Sequence, residues 1–173
     1  MVQNDQADIH NVADYIIVKL VEGGVSLSVL KLQKLLFYVQ AWSLAFGRGR
    51  AFIGDFQAWI HGPVNRDMYD RFKVTHSLYS DVLLSDVTNN TASENISAAG
   101  RLHIDEVIES YGLLTGTQLE AMTHAEKPWA SARLGLRASE RCEKIIDETL
   151  MTDFYKAQLA EAIDEPSPTA PLK

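Results

Sequence analysis

Cysteine is almost absent from this sequence of 173 residues, in which Cys142 stands alone. A lone cysteine excludes an internal disulfide, and such sparse usage is typical of a protein in a reducing compartment. Every apolar stretch is interrupted by Lys, Gln or Gly before it reaches about 18 residues, so no membrane-spanning segment is predicted. The N-terminus lacks the basic region and apolar run of a secretory signal. We therefore expect a cytoplasmic protein.

The common sequence signatures of catalysis are missing as well. There is no GxxxxGK[ST] phosphate loop, no Gly-rich dinucleotide turn, no HExxH zinc motif and no GxSxG nucleophile elbow. The five histidines do not pair at i, i+4, so neither a metal nor a cofactor is predicted. These absences favour a binding protein over an enzyme.

Acidic residues outnumber basic ones only in the second half of the chain. Residues 1–80 carry 8 Lys and Arg against 7 Asp and Glu, whereas residues 81–173 carry 8 against 16. Because an acidic chain gains no counterion-release energy from DNA, we expect no direct DNA binding. The acidic half is compatible with two interpretations, namely solubility or attraction of a basic protein partner.

Two amphipathic patterns in the first third predict helices. Asp8 is a candidate N-cap for the first, which Gly23 ends, and Ser28 and Gly47 bound the second in the same way. The second segment is apolar on more than one side, which is typical of a helix buried among others. The sequence therefore predicts a central buried helix.

Three polar side chains form one face of that mainly apolar central helix. Lys31, Lys34 and Tyr38 stand at i, i+3 and i+7 and therefore share one face. A buried ammonium costs several kcal/mol unless it is paired. We expect this face to meet water, an acidic group or a partner.

The segment after the central helix predicts extended structure followed by a turn. Residues 52–61 alternate imperfectly, which favours a short β-hairpin strand or an extended segment. Gly62 predicts a turn, and Pro63 is expected to start a new helix. His61 is interpreted as a structural hydrogen-bond donor in that turn, because no local Ser or Cys nucleophile motif accompanies it.

The remainder of the chain predicts further helices. Residues 85–100 are mostly Thr, Asn, Ser and Ala and predict a surface loop. Thr117 and Glu120 fit a capping box, a helix is expected to end before Pro128, and a final helix is expected from about Asp147. The predicted fold is mainly α, a compact single-domain helical bundle over residues 1–163. Residues 164–173 hold three of the five prolines and predict a disordered tail.

One pair of residues supports an enzymatic alternative. Arg71 and His76 form an R-x4-H pattern, which HEPN-type ribonucleases use beside the scissile phosphate. In such enzymes the arginine stabilises the phosphate and the histidine transfers a proton. The polar residue that usually follows the arginine is Phe72 here, so a surface Arg and His near a helix end is the favoured interpretation.

Three motifs in order resemble the Panacea domain family, whose members include SocA-like antitoxins. They are residues 31–38 with Ala41 and Trp42, residues 58–64 with Tyr69, and residues 123–129 with Ala132 and Arg133. The resemblance covers about residues 8–157.

The resemblance implies an antitoxin that binds and neutralises a cognate protein toxin. It also implies that a SocA-like member acts as an adaptor that delivers the toxin to the ClpXP protease. The residues expected around the partner surface or in its supporting core are Lys31, Lys34, Tyr38, Trp59, His61, Pro63, Tyr69 and Trp129.

Overall fold

A computed structural model describes residues 6–164, and its helices within that range confirm the predicted mainly α fold. One two-stranded antiparallel hairpin accompanies them, at the position predicted for a hairpin or an extended segment. The predicted tail lies, from residue 165 onward, outside the described residues. The elements are α1 (Ile9–Glu22), α2 (Val29–Ala45), β1 (Gln57–Trp59), β2 (Gly62–Val64), α3 (Arg66–Phe72), α4 (Ala98–Tyr111), α5 (Gly116–Ala125), α6 (Lys127–Ala132) and α7 (Glu148–Asp164).

The first two helices begin where local capping chemistry predicts. The Asp8 carboxylate accepts a hydrogen bond from the backbone N–H of His10 at 2.8 Å, and α1 follows at once. The Ser28 hydroxyl accepts from the backbone N–H of Lys31 at 3.2 Å at the start of α2. Each cap satisfies a backbone donor that the first helical turn leaves unpaired.

Helix α2 is the centre of the molecule, as its two apolar faces predict. It packs against α1, α4, α5, α7 and β2, and 15 of its 17 residues are buried. Each large apolar side chain that is fully buried contributes about 1.5–3 kcal/mol of transfer free energy. Burial around α2 therefore supplies much of the apolar stabilisation of this fold.

The hairpin corrects the role predicted for Pro63. Pro63 lies in β2 opposite Ala58, and the next helix begins only at Arg66, with Asn65 as its N-cap. Proline is tolerated in this strand because Ala58 finds its partners elsewhere. The Ala58 N–H donates to the Lys144 carbonyl at 2.9 Å, and the Ala58 carbonyl accepts from Arg133 at 2.8 Å. No ladder bond is lost to the missing proline N–H.

The capping box of α5 also differs from the prediction. The helix begins at Gly116, and Thr115 and Gln118 exchange the two capping bonds at 3.1 and 2.8 Å. The predicted pair, Thr117 and Glu120, therefore lies inside the helix.

The predicted surface loop of residues 85–100 is more ordered than its composition suggests. Two 3-10 turns, Leu84–Asp86 and Ala92–Asn95, lie within or beside it, and α4 begins at Ala98. The buried carboxylate of Asp14 accepts from the Thr88 hydroxyl and the Asn89 backbone N–H, both at 2.9 Å. This segment is therefore tied to α1.

Candidate functional site

Lys34 binds the hairpin at β2, directly after the turn, from the interior of the molecule. The Lys34 Nζ donates to the Pro63 carbonyl at 3.0 Å, and the lysine side chain is fully buried. Gly62 has a φ of +99°, and a Cβ there would lie 2.4 Å from Lys34 Cε. Glycine at this position lets the turn adopt its backbone conformation and approach the lysine closely.

Burial dominates the electrostatics of that lysine. It lowers the pKa of Lys34 to about 7, and the nearby charge of Glu120 offsets only part of this effect. The Glu120 carboxylate also lies 3.0 Å from His61 Nδ1 and 4.0 Å from His124 Nε2. Of the expected environments for this face, an acidic group therefore lies nearby, and it belongs to the chain itself.

Lys31 and Tyr38 also find their partners inside the molecule. Lys31 Nζ donates to the carbonyls of Gly112 at 2.6 Å and Ser26 at 3.1 Å, and burial lowers the pKa of Lys31. The Tyr38 hydroxyl donates to the Glu126 carboxylate, and burial together with Glu126 raises the pKa of Tyr38 well above its usual range. Burial in turn raises the pKa of Glu126.

The polar face of α2 is consequently part of the core. Lys31 is 4% exposed and Lys34 and Tyr38 are both 0% exposed, so of the expected environments this face meets acidic groups and backbone carbonyls of the chain itself rather than water. An internal carboxylate or a backbone carbonyl accepts from each group, which removes most of the penalty for burying it.

In front of the same turn lies a cavity of about 690 Å³, which we call the hairpin groove. It is bounded by the hairpin, α3, the first turns of α2 and the segments 76–78 and 141–143. Its volume falls within the range of small-molecule sites, roughly 300–1,000 Å³. Its lining includes Trp59, Ile60, His61, Tyr69, Phe72 and Cys142.

Two aromatic rings form one wall of the groove. The rings of Trp59 and Tyr69 meet edge to face with centroids 4.8 Å apart. The Arg66 guanidinium lies 5.7 Å and 5.6 Å from the two centroids, and Trp129 Nε1 donates to the Trp59 carbonyl at 2.9 Å. Aromatic and arginine side chains of this kind commonly anchor protein interfaces.

The structure divides the eight residues of the predicted partner surface into three groups. Those that line the hairpin groove are Trp59, His61 and Tyr69. Those that hydrogen-bond the hairpin backbone are Lys34 and Trp129, and Pro63 is the β2 residue whose carbonyl accepts from Lys34. Those buried farther along α2 are Lys31 and Tyr38. Contact of any of them with a partner stays a prediction.

Two buried glutamines of α2 were not identified from the sequence, although one lines the groove and both fix backbone segments that follow the helix. The Gln33 amide exchanges two hydrogen bonds with the backbone of Asn65, at 3.1 and 2.9 Å. The Gln40 amide bonds the backbone of Phe52 and Ala51, each at 2.8 Å. Polar residues in a helix that is apolar on several sides were the available signal.

Arg71 and His76 are engaged in structural contacts. The Arg71 guanidinium pairs with the buried Asp14 carboxylate and donates to the Asp86 carbonyl at 2.9 Å. His76 Nε2 lies 3.1 Å from the Asp86 carboxylate. Because an internal carboxylate already neutralises the arginine, this geometry disfavours the HEPN-like interpretation, in which that charge faces a phosphate.

Residues 6–164 show neither a metal-binding cluster nor a membrane-spanning helix. No group of three or more His, Cys, Asp or Glu side chains in that range is arranged to hold a metal ion. None of the helices described there has the length and apolar character needed to cross a membrane.

Comparison with known proteins points to one family. The family model described as Antitoxin SocA-like, Panacea domain matches residues 32–130, which run from α2 through most of α6 and include the hairpin and α3. Antitoxin SocA of Caulobacter vibrioides (strain NA1000 / CB15N) is 28% identical over 160 residues, covering 82% of this chain and 81% of that protein. No solved structure gives a significant match.

Proposed function

The chain belongs to the Panacea domain family of SocA-like antitoxins, and from this premise we propose that it neutralises a cognate protein toxin by binding it. Family membership is the observation that carries the proposal. The similarity to Antitoxin SocA, which extends over 82% of this chain, supports it.

The hairpin groove is the surface that we propose for toxin binding. It is concave, and two aromatic rings and an arginine stand together at one wall. Interface energy is usually concentrated in a few such side chains, so a compact aromatic wall is sufficient to anchor a partner.

Co-expression with the product of the adjacent gene tests the proposal. Expression of that product alone should stop growth, and co-expression with this chain should restore it. The two purified proteins should also form a complex in size-exclusion chromatography. A toxic neighbour that this chain neither binds nor counteracts would refute the proposal.

We also propose that the chain acts as an adaptor for ClpXP, as its resemblance to SocA-like members suggests. The similarity to Antitoxin SocA over 82% of this chain agrees with that resemblance. Reconstituted ClpXP should degrade the toxin only when this chain is added. Equal degradation without it would contradict the adaptor role, while leaving neutralisation by binding intact.

A further inference from the structure

The hairpin groove combines apolar walls with a cationic rim, in a chain whose net charge is -7. Lys73 and Arg141 line it, together with His61 and His76. Among the described residues that line it, Glu143 is the one carboxylate, and Arg66 pairs with it at 3.3 Å. The lining thus carries two cations against one carboxylate, whereas the chain as a whole is acidic, and the two histidines pair with Glu120 and Asp86.

Arg141 differs from the other cations around the groove. Lys73 pairs with Asp70 at 2.8 Å, and Arg66 pairs with Asp70 and Glu143. Arg141 is exposed, and no ion pair or hydrogen bond occupies its guanidinium among residues 6–164. A guanidinium presents a planar fork of donors that matches a carboxylate.

The aromatic wall extends to the mouth of the groove. Tyr69 is 38% exposed and Tyr79 is 63% exposed, and the Tyr79 ring lies 6.3 Å from that of His61. Large apolar surface of this kind beside a cavity is typical of a binding site. A polar or strongly charged ligand would leave these rings unused, whereas an apolar segment would bury them.

We propose that the hairpin groove receives an apolar segment of the toxin that carries a carboxylate. Its apolar side chains would pack on Trp59 and Tyr69, and its carboxylate would bind Arg141. Arg141 argues for this occupant, because it is the one charged side chain, among the described residues that line the groove, without an internal ion pair, and a carboxylate would pair with it. The inference rests on the proposed function and specifies the partner's chemistry.

Titration calorimetry with the purified product of the adjacent gene measures each contribution separately. Tyr69→Ala should weaken binding about tenfold or more, since that corresponds to loss of one interface anchor. Arg141→Glu should weaken it by about tenfold at roughly 0.1 M salt and by clearly less at roughly 1 M, where screening shortens the Debye length to about 3 Å.

Two matched variants control for general effects. Leu113→Ala removes an apolar side chain that is 85% exposed and does not line the groove. Lys156→Glu reverses the charge of an exposed residue of α7 that also does not line it. Both should bind like the unaltered chain, and circular dichroism should show that all four variants are folded.

Crosslinking identifies the occupant. Tyr79 replaced by photoreactive benzoylphenylalanine should crosslink to an apolar toxin peptide that contains Asp or Glu. Changing that carboxylate to Lys should restore binding to the Arg141→Glu variant. A crosslinked peptide without a carboxylate, or a crosslink to a second copy of this chain, would overturn the inference.

The two proposals fail in different ways. If the unaltered chain binds the toxin and both groove variants bind equally well, the groove inference is wrong and the antitoxin proposal stands. If the unaltered chain forms no complex with the toxin, both are wrong.

Discussion

Replacing Lys34 with Met should abolish a rise of stability with pH that this one buried amine creates. The pKa of Lys34 is about 7 in the folded chain, against 10.5 for an ordinary lysine, because burial disfavours its charged form. Between these values the unfolded chain binds more protons than the folded one. Stability therefore rises as pH increases through this window and is lost as pH falls toward the folded pKa.

The size of the effect follows from the difference between the two pKa values. One pKa unit corresponds to about 1.36 kcal/mol of differential interaction. From about pH 7 to about pH 9 the contribution of Lys34 to the free energy of unfolding should rise by about 2 kcal/mol. The window stays below about pH 10, because the buried tyrosines, whose pKa values are raised, oppose the trend above it.

Urea unfolding followed by tryptophan fluorescence at several pH values measures this difference. The quantity to plot is the free energy of unfolding of the unaltered chain minus that of Lys34→Met. It should increase by about 2 kcal/mol across the window, whereas the same plot for the exposed Lys156→Met should be flat. Near pH 9 the Lys34→Met variant should be less stable by about 1–3 kcal/mol because the Pro63 carbonyl loses its donor, and this deficit should shrink by about 2 kcal/mol toward pH 7.

A direct titration keeps the reasoning testable even if the variant unfolds. The ¹³Cε resonance of Lys34 in the unaltered chain should titrate near pH 7. Two results would refute a lowered pKa for Lys34. One is a resonance that keeps the chemical shift of the charged amine up to pH values near 10, and the other is a flat difference plot.

Three further substitutions test the fold around the site by thermal or urea unfolding. Gly62→Ala should cost about 2–4 kcal/mol, because its Cβ would lie 2.4 Å from a buried lysine carbon, whereas Gly135→Ala, with a similar φ of +84° and open space, should cost only about 1 kcal/mol. Asp14→Ala should cost about 3–5 kcal/mol, because it removes a fully buried carboxylate and leaves its arginine unpaired; a loss below 1 kcal/mol would contradict this role. Thr115→Ala should cost about 1 kcal/mol and Thr117→Ala clearly less, and the reverse order would restore the capping box predicted from the sequence.

Local chemistry explains why the sequence could predict α1 and α2 so closely. A cap involves residues only three or four positions apart, so Asp8 and Ser28 are recognisable without knowledge of the rest of the fold. At α5 two overlapping patterns satisfied the same local rule. The structure has the earlier pattern, Thr115 with Gln118. Directly after this cap, Gly116 packs so closely on the start of α2 that a Cβ there would lie only 3.1 Å from the Ser28 hydroxyl oxygen. Packing against α2 therefore decides between the patterns, and packing is not a local property.

The partners of the polar residues on α2 were beyond prediction for the same reason. Helical spacing shows that Lys31 and Tyr38 share a face, but it does not show what lies opposite. Their acceptors, Gly112 and Glu126, are 81 and 88 residues away in the sequence. The cost of burial correctly predicted that these side chains need a bonding partner, but it left open whether that partner would be water, an acidic group or another molecule.

The turn of the hairpin separates the residues that support the candidate site from those that form its surface. On its inner side the Pro63 carbonyl accepts from Lys34, and on its outer side Trp59 lines the groove. Both kinds of residue occur in one series of motifs, so the motifs alone do not distinguish support from contact.

Burial distinguishes the two roles, because a change at the buried Lys34 alters the free energy of unfolding first and affects the groove only through the turn. A change at the exposed Tyr69 is expected to alter the affinity for the proposed toxin with little effect on folding. Affinity and stability measured on the same variants therefore separate the two roles.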